Sequence, residues 1–180
     1  MPGGTVAVEM PVSFLYGLPA SQSVLPPPVP SSHGPPVALG VGRGVSPFEL
    51  GYHRVDHADS RNIFFDAYDC LVKALTSETL NHDGKYYKYA DVPMPMKPLQ
   101  APHPAFWYGS SNETGAKWAG EQGMHFVTLG PNSFAKENID TFKDAFAKRG
   151  NKPAQPKPEF SGGIAIGVQR HIFVDETDDK

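Results

Sequence analysis

From Val37 onward, short apolar runs alternate with amphipathic stretches, and this alternation restricts the chain to few architectures. Residues 37–42 are apolar and end in glycines. Residues 60–76 carry Phe64, Tyr68, Leu71 and Leu75 at spacings that place them on one helix face, and Asp59 or Ser60 is available to cap the first amides. Residues 105–109 and 124–129 read as short buried strands. Between them a helix is predicted over 112–122, capped by Ser111, with Gly123 where a left-handed C-terminal residue is wanted. Ser133 is the cap assigned to a helix running to Arg149, with Ile139, Phe142 and Phe146 on one face and Gly150 as the stop. Residues 164–174 read as a long strand, and 175–180 as a charged, frayed end. Strands alternating with helices are the grammar of parallel α/β structure. An open doubly wound sheet and part of a closed barrel both satisfy it.

Prolines mark the breaks. Pro26, Pro27, Pro28, Pro30, Pro35 and Pro36 exclude a helix across 21–36, because proline lacks an amide hydrogen and biases its predecessor away from helix. Residues 1–36 are therefore predicted to be an irregular, Pro-rich leader, with room for one strand at 12–18. Asn81-His82-Asp83-Gly84 reads as a turn, followed by Tyr86, Tyr87 and Tyr89 in a strand or excursion. Pro93, Pro95, Pro98, Pro102 and Pro104 predict a rigid connection, and 151–159 a Pro/Lys linker.

Bulk properties exclude several classes of function. The formal net charge is -3, with acids and bases intermixed and no basic block, which argues against a nucleic-acid partner. Cys70 is the single cysteine, so no intramolecular disulfide is available, in keeping with a reducing compartment. No run of about 18 apolar residues marks a membrane span. The N-terminus lacks the basic start and apolar core of a signal peptide. The expected location is the cytoplasm.

Few residues are placed to do chemistry. Gly40-Val41-Gly42-Arg43-Gly44 closes the first clear strand. A dinucleotide fingerprint would need glycine where Val45 stands and a helix opening at once, and Ser46-Pro47 follows. The plain reading is a tight loop with a surface arginine. The sharper one places Arg43 at a strand mouth, where a guanidinium takes a phosphate through two hydrogen bonds and flanking glycines admit the ligand. Arg61 falls in the first turn of a predicted helix, where the dipole opposes a cation; a solvated arginine or a compensating anion would account for it. Gly109-Ser110-Ser111-Asn112 joins a strand end to a helix start, a pattern that serves either simple capping or anion binding. His53 and His57 are four apart without a third ligand at metal-site spacing, so no metal is expected. His103, between two prolines, reads as a geometric element, and Trp107 and Trp118 as core. Neither a G-x-S-x-G elbow nor a Walker loop is present.

Taken together these segments resemble the bacterial luciferase-like monooxygenase family. The resemblance is carried by residues 39–49 (LGVGRGVSPFE), Ser60-Arg61, residues 83–87 (DGKYY), residues 98–104 (PLQAPHP), Trp118-Ala119 with Gly123, and residues 167–171 (GVQRH). It implies an α/β fold of parallel strands alternating with helices, a TIM-type (β/α)8 barrel that 37–180 would fill only in part, since such barrels run to about 250 residues. It also implies a flavoprotein oxidoreductase. Reduced FMN, supplied by a separate flavin reductase, would react with oxygen to oxygenate a small-molecule substrate. Gly42, Arg43, Arg61, Ser110 and Ser111 would hold the cofactor. A deazaflavin coenzyme with hydride transfer is the neighbouring possibility, and a homo-oligomer is an open one. No catalytic base is assigned. The alternative is a non-catalytic barrel fragment that binds phosphate or a partner chain.

Overall fold

The computed structural model describes residues 37–44, 46–155 and 163–170. The expectations for the leader at 1–36, for the strand within it, for 171–180 and for residues 156–159 of the linker lie outside these residues. The chain divides into two compact units, Met1–Phe106 and Trp107–Lys180.

In the first unit, β1 (Ala38–Val41) runs into the glycine-flanked loop of Arg43. Helix α1 (Pro47–Tyr52) follows directly. Sequence reading took Ser46-Pro47 as a break. They are instead a start signal: the Ser46 hydroxyl accepts the Glu49 amide at 3.4 Å, and Pro47 sits at a first-turn position where its missing amide hydrogen costs nothing. Helix α2 (Ser60–Thr76) spans the predicted residues. Phe64 and Tyr68 are buried on its inner face and Leu71 and Leu75 half-buried. The Tyr68 ring meets Phe106 edge-on, centroids 5.5 Å apart. Capping differs from expectation, because Asp59 occupies the cap position without a side-chain cap bond and Ser60 turns its hydroxyl elsewhere.

Next comes an antiparallel hairpin, β2 (Thr79–Asp83) and β3 (Lys88–Pro93). Asn81, His82 and Asp83, expected in a turn, lie in β2, and the turn is displaced to 84–87. Alternation explains it: Leu80 and His82 face inward while Thr79, Asn81 and Asp83 face water. After β3 the chain runs without helix or strand through Pro104, with a cis bond at Ala101–Pro102.

The unit boundary falls within β4 (Ala105–Gly109). In the second unit, α3 (Glu113–Gln122), β5 (His125–Leu129), α4 (Asn132–Lys148) and β6 (Ile166–Gln169) follow in order. The strands β4, β5 and β6 are parallel, with Tyr108 opposite Phe126 and Phe126 opposite Ile166. β5 starts one residue later than expected, and β6 is shorter within the described residues than the strand predicted over 164–174. Phe126 and Phe142 are fully buried and stack at 5.0 Å, joining β5 to α4. The buried Asn138 amide donates to the Thr128 hydroxyl at 3.2 Å between the same two elements. Gly120 allows α3 to approach α4, since a Cβ there would come 2.5 Å from the Phe142 carbonyl oxygen. Gly123, at φ 69°, ends α3 as predicted. The caps of α3 and α4 also differ from expectation. Asn112, not Ser111, caps α3 by accepting the Gly115 amide at 3.0 Å, and Pro131 precedes α4, leaving Ser133 inside its first turn. No helix among the described residues is long and apolar enough to cross a membrane.

Candidate functional site

Arg43 leaves the C-terminal end of β1, half-buried between exposed Gly42 and Gly44. One nitrogen of its guanidinium, Nη1, donates to the Ser60 hydroxyl oxygen at 3.1 Å. Ser60 is buried, and its own hydroxyl donates to the His57 carbonyl at 2.7 Å. Among the described residues, neither Arg43 nor Arg61 pairs with a carboxylate. The side chain of Arg61 is exposed on the first turn of α2, which contains no acid. Asp59, just before it, is engaged by the Tyr86 hydroxyl at 2.9 Å and by Lys85 at 4.0 Å. The start of this 17-residue helix thus carries Arg61 and, through Ser60, holds Arg43, and among the described residues neither arginine is paired with an acid. A Cβ at Gly42 would meet nothing within 4 Å, so the backbone beside Arg43 is open to approach.

In the second unit, Ser110 and Ser111 sit where β4 passes into α3. Ser110 is buried, and its hydroxyl both donates to the Asn112 carbonyl (3.2 Å) and accepts the Asn112 amide (3.3 Å). It rests on Gly115, where any Cβ would overlap it. Ser110 thus shapes the loop, and the exposed Ser111 is the one that offers a hydroxyl to solvent. At the same C-terminal edge of the parallel strands, Arg170 donates to the Gly130 carbonyl (2.9 Å) and to Asn132 Oδ1 (2.7 Å). It ties the end of β6 to the loop after β5, a role that sequence reading did not assign.

Two further groups escaped the sequence. Asp66 on α2 accepts from His82 Nε2 (2.7 Å) and from the amides of Tyr86 (2.6 Å) and Tyr87 (3.0 Å). Burial works against its charge, but the bonds from Tyr86, His82 and Tyr87 prevail and hold its carboxyl below the ordinary range. Lys73 lies 3.3 Å from His82 Nδ1. This cluster clasps the hairpin to α2. His125 is buried, its Nδ1 accepting the Ala165 amide at 3.0 Å, and burial lowers its pKa to about 4. No spacing motif marks either group. Their only signal is a polar residue recurring on an inward-facing position.

His103 packs its buried ring on Phe106 at 4.8 Å and bonds the Pro104 carbonyl at 2.8 Å through Nδ1, a structural placement as expected. Trp107 and Trp118 are half-buried. His53 and His57 are exposed, and the described residues contain no group of three or more metal-ligating side chains.

In each unit a strand end carries polar loop residues, Arg43 after β1 in the first and Ser110-Ser111 after β4 in the second. The luciferase-like monooxygenase family matches residues 37–180, and the chain belongs to that family. It is 32% identical over 105 residues to the uncharacterized protein y4wF of Sinorhizobium fredii, covering 58% of this chain and 31% of that protein. Among solved structures it is similar to monooxygenase RslO1 from Streptomyces bottropensis, at TM-score 0.58 and 20% identity over 66% of this chain and 36% of that one. It is also similar to the oxygenating constituent of 3,6-diketocamphane monooxygenase from Pseudomonas putida, in complex with FMN, at TM-score 0.50 and 20% identity (71% and 38% covered). An F420-dependent secondary alcohol dehydrogenase gives TM-score 0.52 and 19% identity (73% and 38% covered). The chain thus spans between 31% and 38% of the length of these relatives and carries part of their (β/α)8 barrel fold.

Proposed function

We propose that this chain carries the phosphate-binding part of a flavin-dependent monooxygenase that uses reduced FMN and oxygen on a small organic substrate. The observation that supports it most is Arg43. Its guanidinium is anchored at a strand mouth by a neutral hydroxyl, that of the residue before Arg61 in the chain, and is without a carboxylate partner among the described residues. A guanidinium so held keeps its charge and most of its donors for an oxyanion.

In this reading Arg43 takes the FMN phosphate and Arg61 adds a second positive charge. Gly42 lets the ligand approach the backbone. In the second unit, Ser110 fixes the loop from which Ser111 presents its hydroxyl. FMN, when bound, supplies the redox chemistry, and the protein supplies binding, orientation and exclusion of water. A separate flavin reductase delivers the cofactor reduced. The deazaflavin F420 is the second reading for the cofactor, favoured by a neighbour as similar in fold as the FMN complex.

Fluorescence titration tests the proposal. FMN is expected to be quenched saturably by the full chain, and Arg43→Ala to weaken that binding at least tenfold, about 1.4 kcal/mol. Arg61→Ala is expected to weaken it less, because its side chain is exposed and screened. Saturable binding of F420 with none of FMN would favour the deazaflavin reading. Binding of neither cofactor by a folded chain would leave a family member that does not work as a flavoenzyme.

A further inference from the structure

We infer that Ser60 is the positioning residue for the phosphate-binding arginine, aiming Arg43 without itself touching the ligand. The inference rests on the phosphate reading of Arg43 above.

Ser60 is 2% exposed, so its hydroxyl has no exchange with bulk water to blur its role. A serine hydroxyl has one hydrogen to give and lone pairs to receive. The His57 carbonyl, 2.7 Å away, can only accept, so the Ser60 hydrogen is committed there. What remains is an acceptor, and Arg43 Nη1 at 3.1 Å is the donor that meets it. The direction of the pair is thereby fixed. A serine at a helix start ordinarily spends its oxygen on the helix amides. Here it does not. Asp59 holds the cap position, makes no side-chain cap bond, and gives its carboxylate to Tyr86 and Lys85. The local arrangement diverts Ser60 from capping to holding Arg43.

A neutral anchor matters chemically. A carboxylate at this position would fix the guanidinium equally well but would cancel the charge an incoming phosphate needs. A hydroxyl orders the side chain and leaves that charge intact. The gain in affinity is one of preorganisation, a long side chain already held in its bound geometry.

The test compares two ligands that differ only in the phosphate, FMN and riboflavin, each titrated against the full chain by fluorescence. Wild type is expected to prefer FMN, and Arg43→Ala to lose the preference. Ser60→Ala is expected to lower FMN affinity about fivefold and leave riboflavin affinity unchanged. A fall in both affinities together would mean that Ser60 serves only the fold, and an unchanged preference would mean that it does not orient Arg43; either overturns the inference while the phosphate reading stands. Equal binding of FMN and riboflavin by wild type would instead overturn the phosphate reading, and this inference with it. Should Ser60→Ala not fold, Ser60→Cys fills the same space with a sulfur that accepts weakly, and the same comparison decides.

Discussion

His125 is 2% exposed, and its Nδ1 accepts the Ala165 amide, so the imidazole is held neutral with its proton on Nε2. Burial lowers its pKa from 6.5 to about 4. In the unfolded chain the same ring takes a proton near pH 6.5. Between that pH and about 4, the unfolded state binds a proton the folded state refuses, so stability falls as the pH drops through this window. The urea midpoint of the chain is expected to be lower at pH 5 than at pH 7. His125→Asn keeps an acceptor for the Ala165 amide but cannot titrate, so its midpoint should change less between those pH values. Asp66 acts in a different window. Its carboxyl is depressed in the fold, so it contributes stability above its ordinary value near 3.8 and loses that contribution as the pH falls through the lower folded value. His125 thus contributes acid sensitivity between pH 6.5 and about 4, and Asp66 a further loss at lower pH.

The hairpin of β2 and β3 is held to α2 by the clasp at Asp66. Its β3 strand is exposed throughout, so little apolar surface assists. Asp66→Ala would strand the His82 ring and two amides, at a cost of about 2–4 kcal/mol. Hydrogen exchange is expected to show faster exchange across residues 79–93, with the amides of α3 and α4 changed much less. Gly84→Ala should loosen the same clasp, because a Cβ there would overlap the Asp66 carboxylate. In the second unit Gly120→Ala should destabilise the packing of α3 on α4 by about 1–3 kcal/mol, read from the thermal midpoint.

These elements differ in how far they could be read from sequence. Helix α2 and strand β4 carry strong, uninterrupted patterns, and both span the expected residues. The hairpin was obscured because Asn81, His82, Asp83 and Gly84 have the composition of a turn. The inward partner that makes His82 a strand residue is Asp66, distant in sequence. Helix α1 was hidden by weighing Pro47 as a breaker and not as a first-turn residue. Caps missed by a residue or so, as at Ser111 and Asn112, because adjacent Ser and Asn offer the same chemistry and backbone geometry decides between them. At the site, the glycines around Arg43 advertised a strand mouth. That Ser60 would hold its guanidinium was not legible, since the contact joins a loop to a helix start seventeen residues on.

At the scale of the whole molecule, residues 37–180 match the luciferase-like monooxygenase family, and the chain spans about a third of the length of its relatives. Its proposed role therefore depends on whether the part of the barrel present here still binds the cofactor phosphate. Phosphorus NMR observes that atom directly. On titrating the full chain into FMN, the phosphate resonance is expected to shift and broaden to saturation, and the same titration with Arg43→Ala should leave it nearly unmoved. A resonance unaffected by the folded wild-type chain, or one that moves equally with Arg43→Ala, would contradict the account.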